Sequence, residues 1–87
     1  MLKITEYTGK WCGVCKSIKP VVTTIISGYK NEIEFEELDA EENIEKAKAH
    51  EVSHLPTFIF EKDGQVVAKK SGFINPTEFK KLIEDNK

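Results

Sequence analysis

Apolar and polar positions first alternate near the start of the chain, where Leu2, Ile4 and Glu6 share one side and Lys3, Thr5 and Tyr7 the other. This period of two predicts a strand over Leu2–Tyr7, with a carboxylate on a face that should be apolar. The period then lengthens. From Cys12 to Ser27 the residues Val14, Ile18, Val21, Val22, Ile25 and Ile26 recur at helical spacings, and Gly28 follows where a helix would end. One helix is predicted there, kinked at its internal Pro20. Ile33 and Phe35 alternate with acidic residues over Ile33–Leu38 and predict a second strand. Asp39 and Glu42 have capping-box spacing, Ile44 and Ala47 form a narrow apolar face, and a short helix to about His50 is expected.

Thr57–Glu61 and Gln65–Lys70 flank Lys62-Asp63-Gly64. Asp-Gly between two such runs predicts an antiparallel hairpin, because the turn requires positive φ. Asn75-Pro76-Thr77-Glu78 supplies a cap, a proline at the first helical position and a reciprocal Glu, after which Phe79, Leu82 and Ile83 mark one face of a last helix. The predicted order is β-α-β-α-β-β-α, an α/β chain. Phe58, Ile59, Phe60, Val66, Val67, Phe79 and Leu82 are expected in its core.

Length and charge narrow what such a chain does. Eighty-seven residues, 1–87, fit a single domain. With 39% hydrophobic and 32% charged residues, the chain has neither the signature of disorder nor the apolar run of a membrane span. Thirteen basic against fifteen acidic residues argue against a nucleic-acid partner, which calls for a dense basic face. No apolar stretch follows Met1 as in a signal peptide, so a cytoplasmic monomer without membrane partners is expected. The acidic residues from Glu34 to Glu45 read as a solvated face, with partner docking as the alternative.

The chemistry lies in the two cysteines. Random placement would separate two cysteines by three positions only about one time in forty or fifty, so Cys12-Gly13-Val14-Cys15 is a signal. It sits where strand passes into helix. There the Cys12 sulfur meets unsatisfied backbone N–H groups and the positive end of the helix dipole, and Lys10 and Lys16 add weaker attraction; all favour thiolate, the attacking species in disulfide exchange. Cys15 lies one turn on, more buried, close enough to attack a mixed disulfide formed at Cys12. Gly13 has no side chain to obstruct an approaching substrate backbone.

At these residues the chain resembles the thioredoxin family. Trp11-Cys12-Gly13-Val14-Cys15-Lys16 is similar to the family's Trp-Cys-Gly-Pro-Cys-Lys, with Val14 where proline is usual. Pro20 matches the proline of the first active-site helix, Leu55-Pro56-Thr57-Phe58 the segment holding a cis-proline, and Lys62-Asp63-Gly64 and Gly72 the hairpin turn and a late glycine. Glu6 falls where the family has a buried acid that assists proton transfer at the second cysteine. The resemblance spans Leu2 to Ile83 and implies a thioredoxin-like fold: a four-stranded mixed sheet flanked by helices, without the leading strand and helix of full-length members. It implies thiol-disulfide oxidoreduction, most simply reduction of protein disulfides, with Cys12 attacking, Cys15 resolving and Glu6 moving the proton. Trp11, Gly13, Val14, His54, Leu55, Pro56 and Gly72 would shape the substrate surface. Disulfide-containing proteins are the implied substrates and a thioredoxin-reductase-type protein the electron donor, with no metal and no organic cofactor.

The departures matter too. Val14 leaves the redox poise open. Phe35 is read at the position where many thioredoxins have a lysine paired with the buried acid, and Thr8 and Gly9 replace bulkier residues before the motif. A glutaredoxin-like, glutathione-linked reductase is the nearest alternative, but its Thr-Val-Pro and Gly-Gly-Asp segments stand here as His-Leu-Pro and a single Gly72.

Other classes compete for the same residues. Cys12 and Cys15 with His50 and His54 would make a zinc-stabilised module, and His50-Glu51-Val52-Ser53-His54 matches the H-E-x-x-H pattern of zinc peptidases. Pro56 argues against the helix that motif needs. A redox-inert interaction module of the same fold is the remaining alternative. His50 is expected at a helix end on the surface. His54 is expected beside the dithiol, tuning Cys12 or touching substrate, or else simply solvated. Glu6 is read as buried, with a surface carboxylate as its alternative.

Overall fold

β1, Leu2–Thr8, lies at the centre of the sheet, and five of its seven residues are buried. It is buried on both sides because both faces of the sheet are covered. The computed structural model describes residues 1–72 and 74–87. Its elements follow as α1 (Gly13–Ser27), β2 (Ile33–Asp39), α2 (Ile44–Ala49), β3 (Thr57–Lys62), β4 (Gln65–Ser71) and α3 (Pro76–Asn86), in the order the periodicities predict. The strands run β2-β1-β3-β4, with β1 parallel to β2 and antiparallel to β3, and β3 antiparallel to β4. This is the mixed four-stranded sheet that was expected.

Two apolar clusters occupy its two faces. Leu2 and Ile4 of β1 and Phe58 and Phe60 of β3 pack with Ile18, Val22 and Ile25 of α1 and Phe79 and Ile83 of α3. On the opposite face Tyr7 and Ile59 pack with Ala47 of α2. Phe79 fastens α3 to the sheet, with its ring edge-on to Phe58 and Phe60 at 5.1 and 5.7 Å. Such pairs contribute about 0.5–1.5 kcal/mol beyond burial. Phe79→Ala would cost about 3–5 kcal/mol.

The hairpin closes through the two residues Asp63 and Gly64, both at positive φ (53° and 80°), between paired Lys62 and Gln65. α3 begins as its sequence predicts, with the Asn75 side chain accepting from the backbone N–H groups of Thr77 and Glu78 and Pro76 in the first turn. The Glu78 carboxylate pairs with Lys70 of β4 rather than reaching back to the cap.

Three expectations are corrected. Val66 and Val67 are exposed, not core: β4 is an edge strand, and an irregularity opposite Phe60/Glu61 breaks its register beside them. α2 starts at Ile44, not at Asp39, whose carboxylate instead accepts from the N–H groups of Glu41 and Glu42 in a turn at the end of β2. Ile44, expected on the apolar face, is exposed, as is Val21 of α1. α1 continues through Pro20.

Candidate active site at the start of α1

The apolar stripe of α1 decides where each cysteine goes. Cys15, Ile18, Val22 and Ile25 are spaced three, four and three residues apart and form the buried side of the helix. Cys15 is therefore packed inward, at 4% exposure. Cys12 precedes the first helical residue and serves as the N-cap, with extended backbone angles and a partly exposed side chain. The Cys15 backbone N–H donates to the Cys12 sulfur at 3.1 Å. That donor is one of the groups a helix N-terminus leaves without an internal partner, so the helix supplies both a hydrogen bond and its dipole to that sulfur. The two residues form a disulfide, their Cα atoms 5.2 Å apart.

The other residues expected at the site can now be placed. Trp11 is 89% exposed, so its ring lies on the surface beside Cys12. Val14 is also exposed. Leu55 reaches towards the same place: a Cβ built on Gly9 would come within 2.9 Å of the Leu55 Cδ1 and 3.9 Å of the Cys12 Cβ. Gly9, noted in the sequence only as a departure, is thus the residue that lets the Leu55 loop close on the dithiol. The Leu55–Pro56 bond is cis, as the resemblance implies. Gly72, at φ +80°, donates its N–H to the Pro56 carbonyl at 2.8 Å. Thr57, which sequence reasoning passed over, is fully buried and links the His54 carbonyl (2.6 Å) to the Ser71 hydroxyl (3.0 Å). Its position two residues before Ile59 on the apolar β3 run was the available signal.

Of the two histidines, only His50 departs from its expected setting. His54 is exposed and its Nδ1 bonds the neighbouring Ser53 hydroxyl at 3.0 Å. His50 caps the end of α2, but it is half-buried rather than on the open surface, 2.7 Å from the Tyr7 hydroxyl and 3.7 Å from Glu61. Helix α2 ends at Ala49 and Glu51 turns the chain at φ 54°, so the H-E-x-x-H segment does not lie on a helix. Among the described residues no group of three or more His, Cys, Asp or Glu side chains is arranged to hold a metal.

Glu6 is buried at 2% exposure, on the face of β1 that lies under α1. Burial raises its pKa from 4.5 to about 7; the negative charge of Glu37 adds to the rise, and Lys19 opposes it. The register corrects the sequence reading at this point. Phe35 stands beside Ile4, and the β2 residue beside Glu6 is Glu37. A cation does approach the acid, but it comes from α1. Lys19 lies 3.6 Å from Glu37, and both line a cavity of about 430 Å³ together with Cys15 and Lys16. Lys10, expected to act on Cys12, is paired with Glu42 at 3.6 Å.

A buried cysteine, an N-capping cysteine and a cis-proline on a four-stranded mixed sheet can be compared with known proteins. The thioredoxin family model matches residues 2–85. This chain belongs to the thioredoxin family. It is 38% identical over 82 residues to mitochondrial thioredoxin-3 of Saccharomyces cerevisiae, covering 94% of this chain and 63% of that protein. It is also 38% identical over 72 residues to thioredoxin of Staphylococcus aureus, covering 83% of this chain and 69% of the relative. Among solved structures, oxidised yeast mitochondrial thioredoxin 3 superposes with a TM-score of 0.88 at 37% identity, over 97% of this chain and 77% of that one. Fasciola hepatica thioredoxin gives 0.91 at 35% identity, over 99% and 81%. The chain thus spans under two thirds of the length of the yeast relative.

Proposed function

We propose that this chain is a thioredoxin-type protein-disulfide reductase. The observation that carries the reading is the division of labour between the two sulfurs: Cys12 caps the helix and is partly exposed, whereas Cys15 is buried behind it and gives its N–H to the Cys12 sulfur. In the reduced protein the Cys12 thiolate attacks one sulfur of a substrate disulfide. A Cys12–substrate bond forms, and the substrate's other sulfur leaves as thiolate. Cys15 then loses its proton to Glu6 and attacks the Cys12 sulfur. The intramolecular disulfide forms as the second substrate thiolate departs, and two electrons have passed to the substrate. A thioredoxin-reductase-type protein returns the dithiol to its starting state.

Trp11, Gly13, Val14, Leu55, Pro56 and Gly72 form the surface on which an extended substrate segment lies, with His54 at its margin. Substrates are disulfide-bearing proteins, the chain acts as a monomer, and the cytoplasm is the compartment in which such a pair is kept reduced. The test is turnover of a protein disulfide such as that of insulin with dithiothreitol as electron source. The parent protein should catalyse the reduction, and Cys12→Ser should not. Equal rates for the two would overturn the reading.

A further inference from the structure

Glu6 does not stand alone under α1. Its in-register neighbour on parallel β2 is Glu37, and side chains at such positions share one face of the sheet, with strands about 4.8 Å apart. On its other side, β3 presents Phe58, which is buried and uncharged. From above, α1 presents Lys19, one helical turn beyond Cys15 and therefore on the same side of the helix. Lys19 and Glu37 are 3.6 Å apart and line the same cavity as Cys15. Among the described residues the charges that act on Glu6 are thus Glu37 of β2 and Lys19 of α1, while Lys10, Lys16, Asp39 and Glu42 line other parts of the same cavity.

We propose that Glu37 and Lys19 are opposed positioning residues for the Glu6 proton, Glu37 holding it on and Lys19 drawing it off, and that their balance sets the pH at which Cys15 resolves the mixed disulfide. The proposal rests on the reading of Glu6 as proton acceptor. In the step concerned, the Cys15 S–H bond breaks and its proton goes to the Glu6 carboxylate. The Cys15–Cys12 bond then forms, and the pair of the Cys12–substrate bond leaves on the substrate sulfur. A neighbouring acid makes the carboxylate a better acceptor, and a neighbouring cation makes it a poorer one. Lys19 is itself shared with Glu37, so neither acts at full strength.

Two measurements on Glu37→Gln and Lys19→Met test this. The first is a carbon-13 NMR titration of the Glu6 carboxyl in the oxidised protein, which needs no turnover. The second is the pH profile of mixed-disulfide resolution in a single turnover. Both side chains reach solvent, so the variants should fold. Glu37→Gln should lower both midpoints and Lys19→Met should raise both, each by about one pH unit, and Glu37→Asp should restore the parent values. NMR midpoints that stay put or move the same way in both variants would overturn the proposal. NMR midpoints displaced in opposite directions with an unmoved kinetic profile would instead overturn Glu6 as acceptor, and the proposal with it.

Discussion

The Tyr7 hydroxyl lies 2.7 Å from Nδ1 of His50, 43 residues away along the chain. With the hydroxyl donating, the neutral ring carries its proton on Nε2, which faces Glu61 at 3.7 Å. One run of polar contacts therefore joins β1, the end of α2 and β3 on the face of the sheet away from α1. Tyr7 is fully buried, and Tyr7→Phe would leave the half-buried His50 nitrogen without its partner. A loss of about 1–2 kcal/mol is expected in urea denaturation at neutral pH. Burial, and then the charges of Glu61 and Glu36, raise the Tyr7 pKa above its ordinary 10.0. As pH climbs past that value the unfolded chain ionises first, so stability falls until the folded pKa is reached. Tyr7→Phe should remove that part of the alkaline loss; an unchanged alkaline limb would show that the hydroxyl is not buried as described.

Glu6 gives a second pH signature, in the acid-to-neutral range. Its pKa is raised from 4.5 to about 7. Below 4.5 the carboxyl is protonated in both states. Between 4.5 and 7 the unfolded chain releases the proton first, and the fold loses stability as pH rises; above 7 the loss is complete. At about 1.4 kcal/mol per unit the total is about 3 kcal/mol. Glu6→Gln should match the parent protein at pH 4 and be more stable at pH 8 by about that amount. The same variant should prolong the mixed disulfide while leaving Cys12 alkylation unchanged. Equal stability at both pH values would mean that the carboxylate is solvated.

The sheet and helices were legible because each strand and helix carries its own periodicity, and the cysteine pair because its spacing falls at a helix start. What could not be read depended on partners. In β2, four of seven residues are acidic, so its pattern does not reveal which faces Glu6, and a shift of two positions placed Phe35 where Glu37 stands. Val66 and Val67 look like core until β4 proves to be an edge. Asp39 satisfies the chemistry of a helix cap equally well in a turn. The Tyr7–His50 bond joins positions that no local pattern connects.

Unequal roles for the cysteines follow from the stripe of α1. In the reduced protein, alkylation at mildly acidic pH should occur at Cys12 in preference to Cys15 by about tenfold or more, because helix-terminal thiols ionise more readily than buried ones. Mass spectrometric mapping distinguishes the two sites. Cys15→Ser should accumulate a stable mixed disulfide with a protein substrate, and Cys12→Ser should not. Modification chiefly at Cys15 would reverse the assignment.

Two glycines near the dithiol should separate stability from recognition. Gly72 has φ +80° and ties its N–H to the Pro56 carbonyl. Space is open around it, so Gly72→Ala meets no clash but forces a side chain into left-handed backbone, at a cost of about 1–2 kcal/mol. Gly13 is the first residue of α1, and a Cβ there meets nothing within 4 Å. Gly13→Ala should therefore leave stability unchanged or raise it by about 0.5 kcal/mol, since alanine is the better helix former. If Gly13 lets a substrate backbone come close to Cys12, the same variant should react more slowly with a protein disulfide. It should keep its rate with a small aromatic disulfide, which brings no backbone to the surface. Paired denaturation and rate measurements on both substrates decide the matter: equal slowing on the two would mean that the substitution disturbed the Cys12 sulfur itself and that substrate does not pass over Gly13.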